Sequence, residues 1–320
     1  MQDEIHIALG TAAIGRPVYI NIKEDKEPER SFSMDAFRNK GLGVLDAAYE
    51  QGIRHFDTAP NYGLAESLLI SWIHSKRDAS LTVSSKWGYT YVANFDPNAT
   101  EHEVKEHSLE KLNEQWEVAK GLLPYLKLYQ VHSATLESGV LENRKVLDRL
   151  YELKKEFGLV IGVTVTGDNQ VEVLEKALGV TVNNEYLFQS FQFTFNILDQ
   201  SVSVLRDRLR ERTGPVLLKE VLANGRLIPN VAYGEYRGIY DILLHLANKY
   251  GVGVDAIALR FAIDSFKDAR VLSGAGNRSH LKSNLKADSF ALTGEELESL
   301  QSLAISPKAY WKERKALPWN

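Results

Sequence analysis

The chain has 320 residues, 44% hydrophobic and 25% charged, enough for a full core in two domains or in one large α/β barrel. A net charge of -4 and a sequence pI ≈ 6.1 offer no basic field to nucleic acid or to an anionic membrane. With no cysteine, disulfides, thiolate metal sites and a cysteine nucleophile are excluded, and a reducing compartment is the fitting one.

Met1 to His6 contain neither a basic n-region nor an apolar h-region, and no apolar run approaches the ~18–20 residues of a bilayer span. A soluble, cytoplasmic protein without a membrane partner is expected. Ile5 to Gly15 reads as a first strand entering a glycine turn, and residues 20–32, rich in Lys and Glu, as a long exposed loop. Ser33 opens a helical pattern that ends before Gly52. The pattern then predicts a strand over 55–59, a helix over 64–76, a strand over 81–86 and a polar loop through Asn94, Pro97 and Asn98. Thr100, with Glu103 three residues on, has the spacing of a capping box for a helix to Ala119.

Strand 126–132, helix 140–156 and the β-branched strand Val160–Thr166 follow, the last composed as a buried parallel strand. Asp168 or Asn169 caps a helix to Leu178, strand six is 187–195, and a helix runs over 201–212. Strand seven is 215–221, helices are expected over 237–250 and 254–265, strand eight over 270–274, and further helices over 278–286 and 293–303. Strand and helix thus alternate eight times with no break in composition, which predicts a single domain over 1–320. Its expected fold is a (β/α)8 TIM barrel of the α/β class, with extra C-terminal helices. The rival is an open doubly wound sheet. It is disfavoured because the chemistry-bearing residues follow several different strands, and no Gly-x-Gly-x-x-Gly follows an early strand.

Those residues stand at strand ends. Asp57 closes an apolar strand, so its carboxylate is expected to be buried and to need a cation. Tyr62 lies five residues later in a Pro-Asn-Gly loop, Lys86 ends Ser84-Ser85-Lys86, and His132 ends Leu128–His132. In a parallel barrel every such end points to one face, so the four converge. Asp57, Tyr62, Lys86 and His132 in this arrangement resemble the tetrad of the aldo-keto reductases, a resemblance that covers nearly the whole chain. It implies interconversion of an aldehyde or ketone with its alcohol, using NAD(P)H. Tyr62 would act as general acid or base, with a pKa lowered by Lys86, and Asp57 would hold Lys86 charged. Neutralising Asp57 would on this view raise the Tyr62 pKa. His132 would orient the substrate carbonyl.

The same resemblance implies cofactor contacts. Thr164 takes the place of a family serine, Val165 that of an asparagine, and Gln192 would bind the nicotinamide carboxamide, with Phe195 stacking on the ring. After strand eight, Gly274, Gly276, Arg278, Lys282 and Asn284 resemble the segment around the adenosine 2′-phosphate, with Asn284 toward the adenine. Arg278 and Lys282 favour NADP(H) over NAD(H), whereas Gly276 falls where many members have arginine. Lys219, after strand seven, resembles the pyrophosphate side. Trp87 and Tyr89 are candidates for a substrate wall, and specificity is expected from the loops 17–31, 87–100 and 228–237 and from the aromatic tail. The substrate class is a small carbonyl or alcohol, a sugar-like one included; no metal site is expected, and oligomeric state is not legible. Two rival readings are a Schiff-base aldolase using Lys86 or Lys219, and a cofactor-binding regulatory subunit without turnover.

Overall fold

In the computed structural model the described residues are 5–18, 20, 22, 33–96, 98–231 and 233–319. Eight parallel strands close into a barrel: β1 (Ile7–Gly10), β2 (His55–Asp57), β3 (Thr82–Trp87), β4 (Leu126–Ala134), β5 (Val160–Val165), β6 (Ser190–Thr194), β7 (Val216–Lys219) and β8 (Arg270–Ser273). Each strand pairs with its neighbours in chain order, and β1 closes on β8. The alternation of strand and helix explains why: parallel strands need crossovers, and helices supply them on the outside. Most of loop 20–32 lies outside the described residues.

Each crossover helix buries one stripe. In α4 (Arg144–Phe157) the buried residues are Val146, Leu147, Leu150 and Leu153, spaced for one face. The Asn143 side chain accepts from Val146 N at 3.4 Å to start this helix, and Gly158 ends it at φ +65. Residues 237–250 (α7) and 254–265 (α8) form two helices, as expected, and α8 is buried along most of its length. No single helix among the described residues is long and apolar enough to cross a membrane.

Two differences from the sequence reading matter to the site. No helix starts at Thr100. Residues 103–105 form a strand paired antiparallel with 89–91, a hairpin at the barrel mouth. Helix α3 (Leu109–Ala119) begins only after Ser108, whose hydroxyl accepts from Lys111 N at 3.0 Å. A Ser-x-x cap competes here with the Thr100 capping box, and the tertiary pairing of the hairpin decides between them. The aromatic tail also forms a helix that the pattern did not reveal, α11 (Pro307–Ala316), with Pro at its start and a Ser306 cap. Tyr310 and Trp311 on it are buried against the barrel.

Candidate functional site

Asp57 ends β2 and is 1% exposed. A buried carboxylate persists when it is paired and hydrogen-bonded, and both oxygens are. Oδ1 takes an ion-pair hydrogen bond from Lys86 Nζ. Oδ2 accepts from the Ser84 hydroxyl at 2.6 Å and from the Gln192 amide at 3.1 Å. Lys86, fully buried, also donates to the Thr58 carbonyl at 3.0 Å. Ser84 and Lys86 are two residues apart on β3, so both side chains face the barrel interior.

Tyr62 is held from its backbone. Its N–H donates to Ala59 O at 3.1 Å, its carbonyl accepts from Ala65 N at 3.1 Å, and Leu64 N–H donates to Gly15 O at 2.8 Å. Gly63 takes a left-handed φ of +60, which a glycine adopts freely. The loop therefore sits tight on the turn after β1 and aims the phenol at the mouth. Lys86 Nζ lies 5.0 Å from the Tyr62 ring centroid, and the His132 ring meets it edge-on at 5.8 Å. The four residues named from their strand ends are thus brought together.

Their acidities differ from the expected pattern in one respect. Burial, reinforced by the Asp57 charge, pushes the Tyr62 phenol well above its ordinary range, with Arg16 opposing. The Lys86 charge is engaged by Asp57, so the expected lowering by Lys86 does not dominate. Burial, followed by the Lys86 and Lys219 charges, holds His132 well below the usual imidazole range. It is therefore a neutral imidazole at pH 7, able to donate one N–H. Burial likewise pulls the Lys219 amine down to about 8.

Gln192 and Thr164 are register partners on β6 and β5, and the Thr164 hydroxyl accepts from Ser133 N at 2.6 Å. Lys219 ends β7 and donates to the Thr194 hydroxyl at 3.0 Å. Beyond β8, Gly274 is exposed, and a Cβ there would meet nothing within 4 Å, so a ligand has room to approach the backbone; the next N–H, that of Ala275, donates to the Ser273 hydroxyl at 3.3 Å. Gly276 lies close to Ala13, 3.6 Å from where its Cβ would stand. Arg278 and Lys282 are exposed on α9 (Arg278–Asn284), with Arg278 3.5 Å from Glu50. This donor set fits a nicotinamide dinucleotide: amide and hydroxyl groups at one end, cations and open backbone at the other.

Three expectations are corrected. Phe195 does not face the mouth; it is 1% exposed and packs on Phe261 and Phe266 at 5.9 and 4.8 Å. With Gln192 inward, the alternation sends Phe191, Phe193 and Phe195 outward, where Phe195 meets Phe261 of α8 and both Phe193 and Phe195 meet Phe266 just past its end. Trp87 is turned away for the same reason: one residue past Lys86, it is buried beside His107 at 5.4 Å and forms no substrate wall. Asn284 is buried with both amide ends engaged, accepting from Ser273 at 2.6 Å and donating to Asp255 at 2.7 Å. It braces the loop instead of facing an adenine. Tyr89 does reach the mouth, its ring 4.8 Å from His132.

Sequence reasoning missed Ser84, Arg16 and Glu103. The repeated serine before Lys86 was the available signal for Ser84. Nothing local marks Arg16, which gains its place through contacts of high sequence separation. Among the described residues no cluster of three His, Cys, Asp or Glu could hold a metal.

Comparison with known proteins gives concordant results. An uncharacterised oxidoreductase of Bacillus subtilis, YqkF, is 23% identical over 297 residues, covering 84% of this chain and 89% of its own. A glycerol dehydrogenase from Gluconobacter oxydans superposes with a TM-score of 0.70 at 19% identity, covering 93% of this chain and 90% of that one. An aldo/keto reductase from Klebsiella pneumoniae, solved with NADP and acetate, gives 0.64 at 20% identity, with coverage of 94% and 91%. Residues 6–305 match the model of the aldo/keto reductase family, and the chain, an eight-stranded barrel with Asp57, Tyr62, Lys86 and His132 at its mouth, belongs to that family of oxidoreductases.

Proposed function

We propose that the protein is an NAD(P)H-dependent reductase of small aldehydes or ketones, with Tyr62 as the general acid. One observation carries the reading: the buried Asp57–Lys86 pair lies under a phenol that a neutral imidazole meets edge-on. A nicotinamide cofactor, when bound, supplies the hydride. Tyr62 delivers its hydroxyl proton to the carbonyl oxygen as negative charge builds there. The phenolate left behind is stabilised by Lys86, which Asp57 keeps charged and in place. His132, neutral by burial, donates its N–H to the same carbonyl oxygen and orients it. In the reverse direction Tyr62 is the base for alcohol oxidation.

Thr164, Gln192 and Lys219 are the residues assigned to the nicotinamide end. Gly274, Gly276, Arg278 and Lys282 are assigned to the adenosine end, with NADP(H) preferred over NAD(H). The two exposed cations beside an open glycine backbone support that preference, as does the NADP in the Klebsiella pneumoniae relative. Tyr89 forms a wall of the carbonyl pocket.

The test is steady oxidation of NADPH with a panel of simple and sugar-like carbonyls, in wild type and Tyr62→Phe. Turnover that falls by ~10²–10⁴-fold in Tyr62→Phe, with cofactor affinity unchanged, is the expected result. NADPH binding without turnover on any carbonyl would instead favour a regulatory, cofactor-binding role. A second reading has one observation in its favour: the Lys219 amine, pulled down to about 8, could act as a Schiff-base nucleophile. Borohydride in the presence of carbonyl, followed by mass spectrometry of the Lys219 peptide, separates the two.

A further inference from the structure

Beside the proposed proton donor lies an ion pair that the reaction scheme does not use. Arg16, 4% exposed, follows the turn after β1, and its guanidinium lies against two rings, 5.7 Å from the Tyr62 centroid and 5.3 Å from that of Trp319. Its Nη1 donates to Glu103 Oε2 at 2.9 Å and to the Asn61 carbonyl at 3.3 Å. Asn61, the residue before Tyr62, donates its amide to the same Glu103 oxygen at 2.7 Å. Trp319, in turn, stacks on His102 at 4.3 Å and bridges Ile20. Four chain segments, after β1, after β2, in the mouth hairpin and in the C-terminal tail, therefore meet on one guanidinium. A buried arginine is costly unless its charge is matched, and Glu103 supplies a match here.

Resting on the reading of Tyr62 as the proton donor, we propose that Arg16 is a positioning residue that tunes the acidity of Tyr62, with Glu103 and Trp319 holding it against the ring. A cation near a phenol favours the phenolate, and an anion opposes it. Burial is the largest influence against ionisation of Tyr62; Asp57 from β2, Glu103 from the hairpin and Glu220 after β7 add to it, and Arg16 favours the phenolate. Among the described residues, Lys86 from β3, His132 from β4 and Tyr89 beside His132 also stand near the phenol. Around Arg16 itself the titratable neighbours include Glu103, Tyr62 and, through Trp319, His102. Two of the carboxylates have their own cations: Asp57 pairs with Lys86, and Glu220 with Arg314 at 2.7 Å. Glu103 pairs with Arg16 itself, so the Arg16–Glu103 pair is the part of this balance that the mouth hairpin and the tail hold, and the tail residue Trp319 can bias it by loosening or tightening the guanidinium.

The experiment uses the fact that Arg16→Gln and Glu103→Gln break the same ion pair but change charge in opposite senses. Structural damage is common to both, whereas an electrostatic effect on Tyr62 reverses sign. Alcohol oxidation with NADP⁺ is followed across pH, because there the phenolate is the base and its fraction enters the rate. Arg16→Gln is expected to slow oxidation roughly three- to tenfold at fixed pH and to move the rising limb upward. Glu103→Gln is expected to speed it roughly two- to threefold and to move the limb downward. Arg16→Lys restores most of the rate, and Trp319→Ala shifts the limb in the Arg16→Gln direction by less. NADPH affinity, read by tryptophan quenching, stays within about twofold across the set, which also establishes that each variant is folded. Limbs that stay put, or that move the same way in Arg16→Gln and Glu103→Gln, overturn the proposal. If Arg16→Gln does not fold, Glu103→Gln decides alone, a faster rate supporting the proposal and a slower one overturning it. Turnover surviving in Tyr62→Phe would remove the proton-donor assignment itself, a separate result from any of these.

Discussion

Gly15 and Tyr62 touch backbone to backbone: a Cβ on Gly15 would come within 1.9 Å of the Tyr62 carbonyl oxygen and 2.5 Å of Ala65 Cβ. Neither neighbour is the tip of a flexible side chain, so the loop itself has to move. Gly15→Ala is expected to destabilise the fold by about 1–3 kcal/mol. It should also lower kcat for carbonyl reduction at least tenfold, since misplacement by an ångström is costly to a positioned proton donor. Thermal unfolding and kcat on one aldehyde check both; a variant with wild-type kcat shows that the loop tolerates the shift.

The Asp57–Lys86 pair gives a prediction whose sign differs from that of the sequence reading. The Asp57 charge raises the Tyr62 pKa, so Asp57→Asn lowers it and releases the Lys86 charge to lower it further. The alkaline limb of carbonyl reduction should therefore move down in Asp57→Asn, while stability falls by about 3–5 kcal/mol because Lys86 is left buried without its counter-ion. An upward shift would mean that Lys86 has lost its proton in the variant.

Glu66, on the first turn of α2 (Ala65–Lys76), is buried and its carboxyl is pushed up to about 7 by desolvation, while it accepts from Ser85 at 2.6 Å. The unfolded chain ionises this group near pH 4.5 and the folded protein only near 7. The native state thus binds more protons between those values, and stability falls as pH rises through that window. The loss is on the order of 3 kcal/mol once both states are ionised. Glu66→Gln should flatten the melting-temperature profile between pH 5 and pH 7 and raise stability at pH 8. A profile as steep as wild type would assign the slope to other groups.

For the adenosine end, Arg278→Ala or Lys282→Ala should weaken NADPH roughly tenfold and leave NADH within about twofold. Glu50→Gln removes the carboxylate 3.5 Å from Arg278 and should tighten NADPH modestly. Equal losses for the two cofactors would place the 2′-phosphate elsewhere.

Phe195 offers a control on the corrected assignment. Phe195→Ala opens a cavity beside Phe261 and Phe266 and should cost about 3–5 kcal/mol of stability. NADPH affinity of the folded variant should be unchanged, since the ring lies outside the barrel wall. A selective loss of cofactor binding would return it to the site.

The barrel was legible because eight strand–helix units each carry their own turn and cap chemistry, and strand ends in a parallel barrel share one face. That rule alone brought Asp57, Lys86 and His132 together. It did not tell inward from outward at the flanking positions. Trp87 and Phe195 were misread because one residue of parity reverses a side chain on a strand, and only the paired neighbours, Lys86 and Gln192, reveal which parity holds. Glu103 was misread because a local capping signal, Thr100-x-x-Glu103, competed with a hairpin pairing that only the folded chain provides. Arg16 and Trp319 were out of reach for the same reason: their partners are separated from them by tens to hundreds of residues.

The last helix also bears on how such a barrel can be re-engineered. Arg226, fully buried in the loop after β7, donates to the Tyr310 carbonyl at 3.3 Å and to Glu313 at 3.0 Å, and Glu220 at the start of that loop is matched by Arg314. Asn196, after β6, donates to the Tyr310 hydroxyl at 2.9 Å. A graft that imports this loop from a relative, or exports it to one, while leaving Pro307–Ala316 behind would part both buried loop charges, the Arg226 guanidinium and the Glu220 carboxylate, from their partners Glu313 and Arg314 on the helix. Loop and helix form one exchangeable cassette, and swapping substrate loops in this scaffold means moving both.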